Sequence, residues 1–308
     1  MNRRRALLPW VALIAVYFLW GSTYLGIRVA VLTIPPYLMT GTRYVVAGLA
    51  LLALRLLFAK ERPAMPSLAA FKRIAVTAVL LIVVGNGLLC LAETRVESAT
   101  AALLVTTTPI WMLLFGALRS RTMPAWPAVA GIALGSAGMV VLVGKAGAHA
   151  DPFFTVLILV GSASWALGSI YAGDKDRHPL SAPLEMTLGG LGSILVGLAL
   201  GEGRQLHIAA VTPESWWGML WLITGGAMVG YSAYAYALRT LPTATVATYA
   251  YVNPIVAVAL GAIVLREPIT WNVLAGGAAI VASVALILAG SGREIRPHPE
   301  ELADEAIT

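Results

Sequence analysis

The sequence predicts an all-α integral membrane protein with ten transmembrane helices, arranged as two inverted repeats of five helices. Three observations support this prediction: a composition poor in charge, a series of apolar runs of membrane length, and an internal repeat. Of the 308 residues, 59% are hydrophobic and 12% are charged, whereas a typical soluble domain carries about 25% charged residues. So few charges cannot cover a water-exposed surface of this size, so lipid must surround much of the chain.

A transmembrane helix needs about 20 predominantly apolar residues. The first apolar run follows Arg3, Arg4 and Arg5 and has no clear Ala-x-Ala cleavage site, so we interpret it as a retained helix and not as a signal peptide. The polar stretch 291–308 is predicted to be a disordered cytoplasmic tail. The predicted spans are residues 9–30, 36–58, 72–92, 98–118, 125–143, 153–173, 181–200, 215–238, 243–264 and 271–289.

The basic residues predict the orientation of these helices. If the N-terminus lies inside, then of the 21 lysines and arginines fifteen fall on the cytoplasmic side, five fall outside, and Arg43 lies within a span. Cytoplasmic loops are enriched in Lys and Arg, so this distribution places both termini in the cytoplasm of a bacterial cell, with the protein multi-pass in the inner membrane. It also requires an even number of spans.

The two halves of the chain align without a gap at a shift of 145 residues. An odd number of helices per repeat forces the second repeat to enter the membrane from the opposite side, which is the inverted-repeat plan of secondary transporters. We therefore predict a first repeat over residues 1–145 and a second over residues 146–290. The matching pairs include Trp20/Trp165, Gly85/Gly230, Pro109/Pro254, Ile110/Ile255, Trp126/Trp271 and Gly131/Gly276.

Several short motifs resemble one known family. Phe18 to Ser22 in the first span, and Arg43 followed by Ala47 in the second, resemble the drug/metabolite transporter superfamily of the EamA type. The more specific likeness is the run from Ala244 through Asn253-Pro254, Gly261, Glu267 and Gly276, which resembles the repeat signature of that family. The first half carries a degraded copy, with Thr108-Pro109, Gly116 and Gly131, and with Thr122 where the second half has Glu267.

This resemblance covers about residues 8–290 and implies a fold and an activity. It implies ten helices in two repeats and a secondary transporter, with amino-acid exporters, including aromatic amino-acid exporters, as the nearest branch. Substrates vary widely on one fold, so the branch is less firmly indicated than the superfamily.

Two tryptophans are placed unusually for a membrane protein. Trp20 and Trp165 fall near the centres of spans 1 and 6, whereas Trp normally lies at the membrane interface. As symmetry mates they are expected at matching depths on opposite walls of a central cavity, where they could stack on a substrate. The alternative is that both rings only pack helices together.

Pro109 and Pro254 are predicted to kink spans 4 and 9, because each removes a backbone donor. Polar side chains near these kinks, and on spans 1, 3, 6 and 8, could bind a substrate ammonium or carboxylate. They could equally satisfy the backbone or join helices. With the two tryptophans, the candidate substrate-binding residues are Ser22, Tyr24, Asn86, Thr107, Thr108, Trp111, Ser169, Tyr231, Tyr234, Tyr249 and Asn253.

Charged residues are scarce at membrane depth. Arg43 could meet a substrate carboxylate or reach outward to water. Glu93 and Glu185 fall near span ends, and no carboxylate falls at a span centre. This inventory favours a neutral or zwitterionic substrate and a flux that does not depend on a buried carboxylate. Spans 5 and 10 are expected to support the bundle with little substrate contact.

The sequence offers no chemistry for an enzyme. It has one cysteine, Cys90, four histidines in loops or the tail, and no phosphate-binding loop. We expect no catalytic residue, metal or cofactor, and no nucleic-acid partner. The expected partners are a small-molecule substrate and the lipid bilayer, with a monomer or a dimer both compatible.

The predicted function is therefore export of small neutral or zwitterionic metabolites, amino acids including aromatic ones, by alternating access through a cavity between the repeats. The alternative within transport is a broad-specificity drug or metabolite efflux carrier. A different class is an integral membrane enzyme or a structural membrane protein, which would show no saturable flux.

Overall fold

A computed structural model describes residues 3–58, 63–96, 98–143, 151–173, 178–264 and 271–294. Every regular element within these ranges is a helix. Five helices are long and apolar enough to cross a membrane by length and composition: Leu7–Ala30, Pro36–Phe58, Leu68–Ala92, Pro152–Ala172 and Ser181–Ala199. This confirms an all-helical membrane protein. The predicted disordered tail starts at residue 291, but the last helix continues to Glu294, so the first four residues of that stretch are helical. Residues 295–308, and Glu267 of the family signature, lie outside the described residues.

The helices follow the predicted spans closely, because each span is bounded by proline, glycine or charged residues that end the apolar run. The first half contains α1 (Arg3–Ala30), α2 (Pro36–Phe58), α3 (Leu68–Ala92), α4 (Ser98–Val105), α5 (Thr108–Ser120) and α6 (Trp126–Val143). The second half contains α7 (Pro152–Ala172), α8 (Ser181–Ala199), α9 (Glu202–Gln205), α10 (Pro213–Trp221), α11 (Ser232–Thr240), α12 (Thr243–Ala247), α13 (Tyr249–Val264) and α14 (Trp271–Glu294).

Two π-helices lie at corresponding positions in the two halves of the chain. The middle of α3 is a π-helix over Val79–Asn86, and a second π-helix, Leu222–Tyr231, joins α10 to α11. Both end at positions that the 145-residue shift equates, Asn86 and Tyr231. Such turns insert extra residues into a helix and are frequent at functional sites. Here they bring the small residues Gly85 and Gly230 against the tryptophans of the opposite half.

The helix interruptions do not fall where the prolines alone predict them. Span 4 is interrupted at Thr106 and Thr107, so Pro109 lies in the first turn of α5, where its missing donor costs little. Span 9 is interrupted at Thr248, and Pro254 lies inside the continuous helix α13. Span 9 therefore also has an interruption six residues before Pro254, at a threonine whose hydroxyl donates to Thr245 O.

Symmetry-related helices pack against one another. The most extensive contacts join α6 to α14 and α2 to α8, each of which pairs a helix of one half with its mate in the other. Glycines allow the α2–α8 contact: a Cβ added to Gly41 would lie 2.7 Å from Gly190 O, and one added to Gly190 would lie 2.7 Å from Val45 N. Small residues at a helix crossing are the usual device for close packing in membranes.

A buried carboxylate caps the N-terminus of α2. Glu202, which is buried, accepts hydrogen bonds from Tyr37 N at 3.1 Å and Leu38 N at 2.8 Å. It therefore satisfies donors that a helix N-terminus leaves without intrahelical partners. We define the outer end of the bundle as the end at which α1 ends, α2 begins and α3 ends. The basic residues predict that this end faces away from the cytoplasm.

Candidate functional site

A pocket lies in the outer half of the bundle, where the two halves of the chain meet. It has a volume of about 70 Å³, which is room for a few water molecules or a carboxylate group. Helices α1, α2, α3, α4, α7 and α13 and the second π-helix line it. Its walls are Trp20, Thr23, Tyr24, Ile27, Arg43, Tyr44, Asn86, Leu89, Val105, Trp165, Gly226, Tyr249 and Asn253. We call this space the central pocket.

Four aromatic rings form the floor of the central pocket. Trp20 and Trp165 meet edge to face, with ring centroids 5.4 Å apart and an interplanar angle of 79°. Tyr234 lies 4.7 Å from Trp20 and 5.7 Å from Trp165, and Tyr249 meets Trp20 edge to face at 5.2 Å. The expectation that the two tryptophans stand on opposite walls is wrong: they touch, and together they make one surface. We call these four residues the aromatic floor.

Each indole is fixed by a hydrogen bond. Trp20 Nε1 donates to Gly226 O at 3.0 Å, and Trp165 Nε1 donates to Tyr234 Oη at 3.1 Å. Ser169 bonds the same tyrosine hydroxyl and donates to Trp165 O. Buried Trp and Tyr normally satisfy their polar atoms in this way. The floor is therefore oriented by polar contacts as well as by packing.

Each tryptophan also rests on a glycine from the other half of the chain. A Cβ added to Gly230 would lie 2.6 Å from Trp20 Nε1, and one added to Gly85 would lie 3.1 Å from Trp165 Cε3. Gly85 and Gly230 are matched by the same 145-residue shift as the tryptophans. The two halves thus exchange equivalent contacts, with a ring from the first helix of one half seated on the π-helix of the other.

A buried cation forms the wall above the floor. Arg43 is 3% exposed, its Nη2 donates to Asn86 Oδ1, and its guanidinium carbon lies 4.7 Å from the centroid of the Tyr44 ring. Cys90 Sγ also donates to Asn86 Oδ1, at 3.3 Å, which fixes that amide. Arg43 Nε is buried and has no hydrogen-bond partner among the described residues. The pocket wall therefore contains a positioned guanidinium, the group that binds carboxylates best.

A buried carboxylate lies beyond Arg43, toward the outer end. Glu93, the residue immediately after α3, is fully buried, and neither of its carboxylate oxygens has a hydrogen-bond partner among the described residues. Its backbone oxygen accepts a hydrogen bond of 2.8 Å from Arg28 Nη1. The sequence placed Glu93 near a span end, and the structure encloses it there. The reason is that α1 and α2 both supply arginines that hold the end of α3 inside the bundle.

Six of the predicted substrate-binding residues line the central pocket: Trp20, Tyr24, Asn86, Trp165, Tyr249 and Asn253. Thr108 lines a smaller adjoining cavity together with Asn86 and Trp165. Tyr234, the fully buried member of the aromatic floor, and Ser169, which bonds its hydroxyl, do not line the pocket themselves. With its amide turned to donate, Asn253 reaches Tyr249 O at 3.0 Å and Tyr17 O at 3.1 Å, so it also ties the broken span 9 to α1.

The remaining predicted residues point into other parts of the bundle. Ser22 donates to Leu19 O and accepts from Trp221 Nε1. Thr107 donates to Leu104 O at the interruption of span 4. Trp111 stacks on Phe115 at 5.9 Å, and Tyr231 donates to Glu185 Oε2 at 3.0 Å. These side chains have local structural contacts and do not line the central pocket.

The sequence suggested that Arg43 could meet a substrate carboxylate but did not place it, or Tyr44, among the predicted substrate-binding residues; span 2 contributes both to the pocket. The signal for Arg43 was present, since it lies well inside a predicted span while the other basic residues fall in loops or near span ends, and an intramembrane charge marks a functional site by default. Leu89, Val105 and Gly226 carry no comparable signal, because apolar and small residues occur throughout every span.

A second, larger cavity of about 340 Å³ opens at the opposite end of the bundle. It is bounded mostly by small and apolar residues, among them Pro109, Met112, Gly116, Met123, Ala128, Ala247 and Ile287. Ala128 belongs to α6 and Ile287 to α14. Spans 5 and 10 therefore stay out of the described lining of the central pocket, as expected, but they do border this second cavity.

Comparison with known proteins gives a consistent result. The sequence profile of the EamA-like transporter family matches the chain twice, over residues 8–144 and 153–289. The uncharacterized inner membrane transporter YedA of Escherichia coli (strain K12) is 36% identical over 267 residues, covering 84% of each chain. A probable amino-acid metabolite efflux pump of Salmonella typhimurium is 24% identical over 295 residues, covering 89% of this chain and 93% of its own.

A solved crystal structure has a similar fold. It superimposes with a TM-score of 0.75, covers 93% of this chain and 98% of its own, and is 16% identical in sequence. Likeness at this level of identity concerns the fold alone. Both profile matches begin and end at positions related by the 145-residue shift, since 8 and 144 become 153 and 289.

Proposed function

Because the chain belongs to the EamA-like transporter family, we propose that it exports small zwitterionic metabolites, amino acids with apolar or aromatic side chains, from the cell. It is a multi-pass inner-membrane transporter, as its apolar helices and its relative YedA indicate. Efflux as the direction, and amino acids as the cargo, are supported by the relative named as a probable amino-acid metabolite efflux pump.

The observation that carries the substrate class is the pairing of Arg43 with the aromatic floor. A buried guanidinium with a free Nε is complementary to a carboxylate, and removing such a cation from water is costly unless an anion compensates it. The rings of Trp20 and Trp165 lie in the same pocket and offer an apolar surface. A solute with a carboxylate at one end and an apolar group at the other uses both.

We further propose that transport occurs by alternating access between two inverted repeats, residues 1–145 and 146–290, each with five membrane-crossing segments. The double family match, the paired π-helices and the exchanged glycine–tryptophan contacts support this arrangement. The central pocket is too small for a whole aromatic amino acid, so loading requires the floor or the walls to move. The floor separates this pocket from the second cavity at the opposite end.

The proposed topology places both termini in the cytoplasm. A reporter enzyme that is active only in the cytoplasm should therefore work when fused after Thr308, and a reporter that needs export should not. The same pair of reporters fused in the loop after α1, near Thr33, should give the reverse result. Activity of the exported reporter at Thr308 would overturn the topology and with it the even number of spans.

Reconstituted flux tests the proposed function directly. Liposomes that contain only this protein should show saturable flux of radiolabelled phenylalanine or leucine, competed by excess unlabelled amino acid. Liposomes loaded with dyes and with amines that lack a carboxylate serve as the matched panel. If none of these solutes is transported, the proposal that the protein is a transporter of this class is wrong.

The second cavity supports a second candidate, a broad-specificity efflux carrier. Its volume of about 340 Å³ and its methionines Met112 and Met123 suit larger apolar solutes, because Met adapts its shape to different partners. This candidate predicts that dyes are carried as well as amino acids, and that their flux does not depend on a carboxylate.

A further inference from the structure

Glu93 is the buried charge that the proposed function does not use. Its carboxylate is fully enclosed and has no hydrogen-bond donor among the described residues. A carboxylate isolated in this way normally takes up a proton, because burial penalises its charged form. The burial of Glu93, opposed by the nearby Arg43 and Arg28, raises the pKa of its carboxyl to about 8.

The surroundings of Glu93 connect it to the central pocket. Arg43 and Tyr24 interact electrostatically with Glu93, and both line that pocket. Arg28 holds the backbone at Glu93. Glu93 is also two residues from Arg95, which is exposed at the outer end. The charged and titratable groups described at this end are Tyr24 and Arg28 on α1, Tyr37, Arg43 and Tyr44 on α2, Cys90 on α3, Arg95 after it, the exposed Asp151 that caps α7, Glu202 and Arg204 on α9, His207 after it, and Glu214 on α10.

Arg43, which acts on Glu93 more strongly than Arg28 does, is therefore a compensating cation for two anions, the ionised Glu93 and a substrate carboxylate. When a substrate carboxylate bonds to Arg43, it adds a negative charge beside Glu93 and weakens the compensation that Glu93 receives. Two carboxylates that share one site cannot both ionise readily. Occupancy of the pocket by a carboxylate should thus favour the neutral, protonated form of Glu93.

We propose that Glu93 is a proton-binding site linked to the central pocket, so that one proton moves in the same direction as each carboxylate-bearing substrate. The proton comes from water on the side where the substrate enters, binds the Glu93 carboxylate as the substrate binds Arg43, and leaves to water when the substrate leaves. Export driven by the substrate's own gradient then carries a proton outward. This inference rests on the proposed function, because it needs a carboxylate-bearing substrate.

Linkage gives the expected size of the effect. If the pocket binds substrate only when Glu93 is protonated, apparent affinity falls about tenfold between pH 7 and pH 9, through the pKa of about 8. The sign is fixed: affinity is highest below pH 8 and is lost as pH rises through it. Flux of phenylalanine into liposomes should also acidify the lumen, by one proton for each molecule.

Glu93→Gln mimics the protonated carboxyl permanently. This variant should keep phenylalanine flux, lose the tenfold dependence on pH, and no longer move protons. Substrate ionisation is the same for both proteins, so it cancels in the ratio of variant to wild type. The matched control is Glu185→Gln, which alters another buried carboxylate, bonded to Tyr231 and outside the central pocket; it should retain proton movement.

Infrared titration of the purified wild-type protein measures the protonation of Glu93 directly. This test needs neither a flux assay nor a variant that folds. The C=O band of a protonated carboxyl should disappear with a midpoint near pH 8, and saturating phenylalanine should move that midpoint upward. A midpoint unaffected by phenylalanine, or proton movement that persists in Glu93→Gln, would overturn the proposal. If no carboxylate-bearing solute is carried at all but the band still titrates near pH 8, the proposed function fails while the proton site stands.

Discussion

Arg43→Gln should lower the apparent affinity for phenylalanine by at least about 30-fold while leaving a carboxylate-free analogue, phenethylamine, almost unchanged. The reason is that Arg43 is buried, is positioned by Asn86 and the Tyr44 ring, lines the central pocket, and has an Nε without a hydrogen-bond partner among the described residues. Removing one partner of a buried, hydrogen-bonded charge pair costs about 2–5 kcal/mol. Competition by both ligands against labelled leucine provides the measurement.

Two further variants separate the anchor from a general loss of structure. Arg43→Lys keeps the charge but loses the planar fork, so it should restore only part of the affinity for phenylalanine. Arg55→Gln removes an exposed arginine at the other end of α2 and should leave both affinities near the wild-type values. Equal losses for phenylalanine and phenethylamine in Arg43→Gln would show that Arg43 supports the fold and not the substrate.

The order and bounds of the helices could be predicted because lipid imposes a simple rule. Each crossing needs a long apolar run, and the interruptions between runs carry charges, prolines and glycines. The interruption of span 9 is a feature that this rule does not predict. Pro254 signals a break, but the helix breaks at Thr248, where the hydroxyl bonds Tyr17 of another helix at 2.5 Å. A contact between distant parts of the chain decides this position, and a local signal cannot show it.

The candidate site could be predicted in part for the same reason. Trp20, Trp165 and Asn86 are polar or aromatic residues at membrane depth, which makes them visible against an apolar background. Glu93 was hidden, because a carboxylate just beyond a span end is normally solvated. In the structure it is buried, and Arg28 and Arg43 approach it from two other helices. The depth of a charge in the bundle thus depends on tertiary contacts more than on its distance from a span boundary.

Trp20→Ala or Trp165→Ala should reduce flux of phenylalanine by about ten- to thirtyfold and flux of alanine by about threefold or less. Both rings line the central pocket and meet at 5.4 Å, so a substrate ring that enters it packs against an indole. Aromatic contacts add about 0.5–1.5 kcal/mol beyond the burial of apolar area, and burying a Phe-sized side chain contributes about 1.5–3 kcal/mol in full. Alanine has little surface to lose, so the ratio of the two fluxes isolates the contact.

Matched variants distinguish substrate contact from helix packing. Trp20→Phe keeps an aromatic face and should retain most of the preference for phenylalanine, although it loses the bond to Gly226 O. Gly230→Ala keeps the Trp20 side chain but displaces its ring, because the new Cβ would lie 2.6 Å from Nε1. This variant should also lower the ratio of phenylalanine flux to alanine flux. Trp217→Ala, at an indole that is 71% exposed, is the control and should leave the ratio unchanged. The fluxes of phenylalanine and alanine are compared per correctly inserted molecule. If the tryptophans only pack helices together, the alanine variants should be expressed at a lower level and should lose both fluxes equally. An unchanged ratio in both alanine variants would remove the tryptophans from the substrate site and leave Arg43 as the part of the pocket that selects the solute.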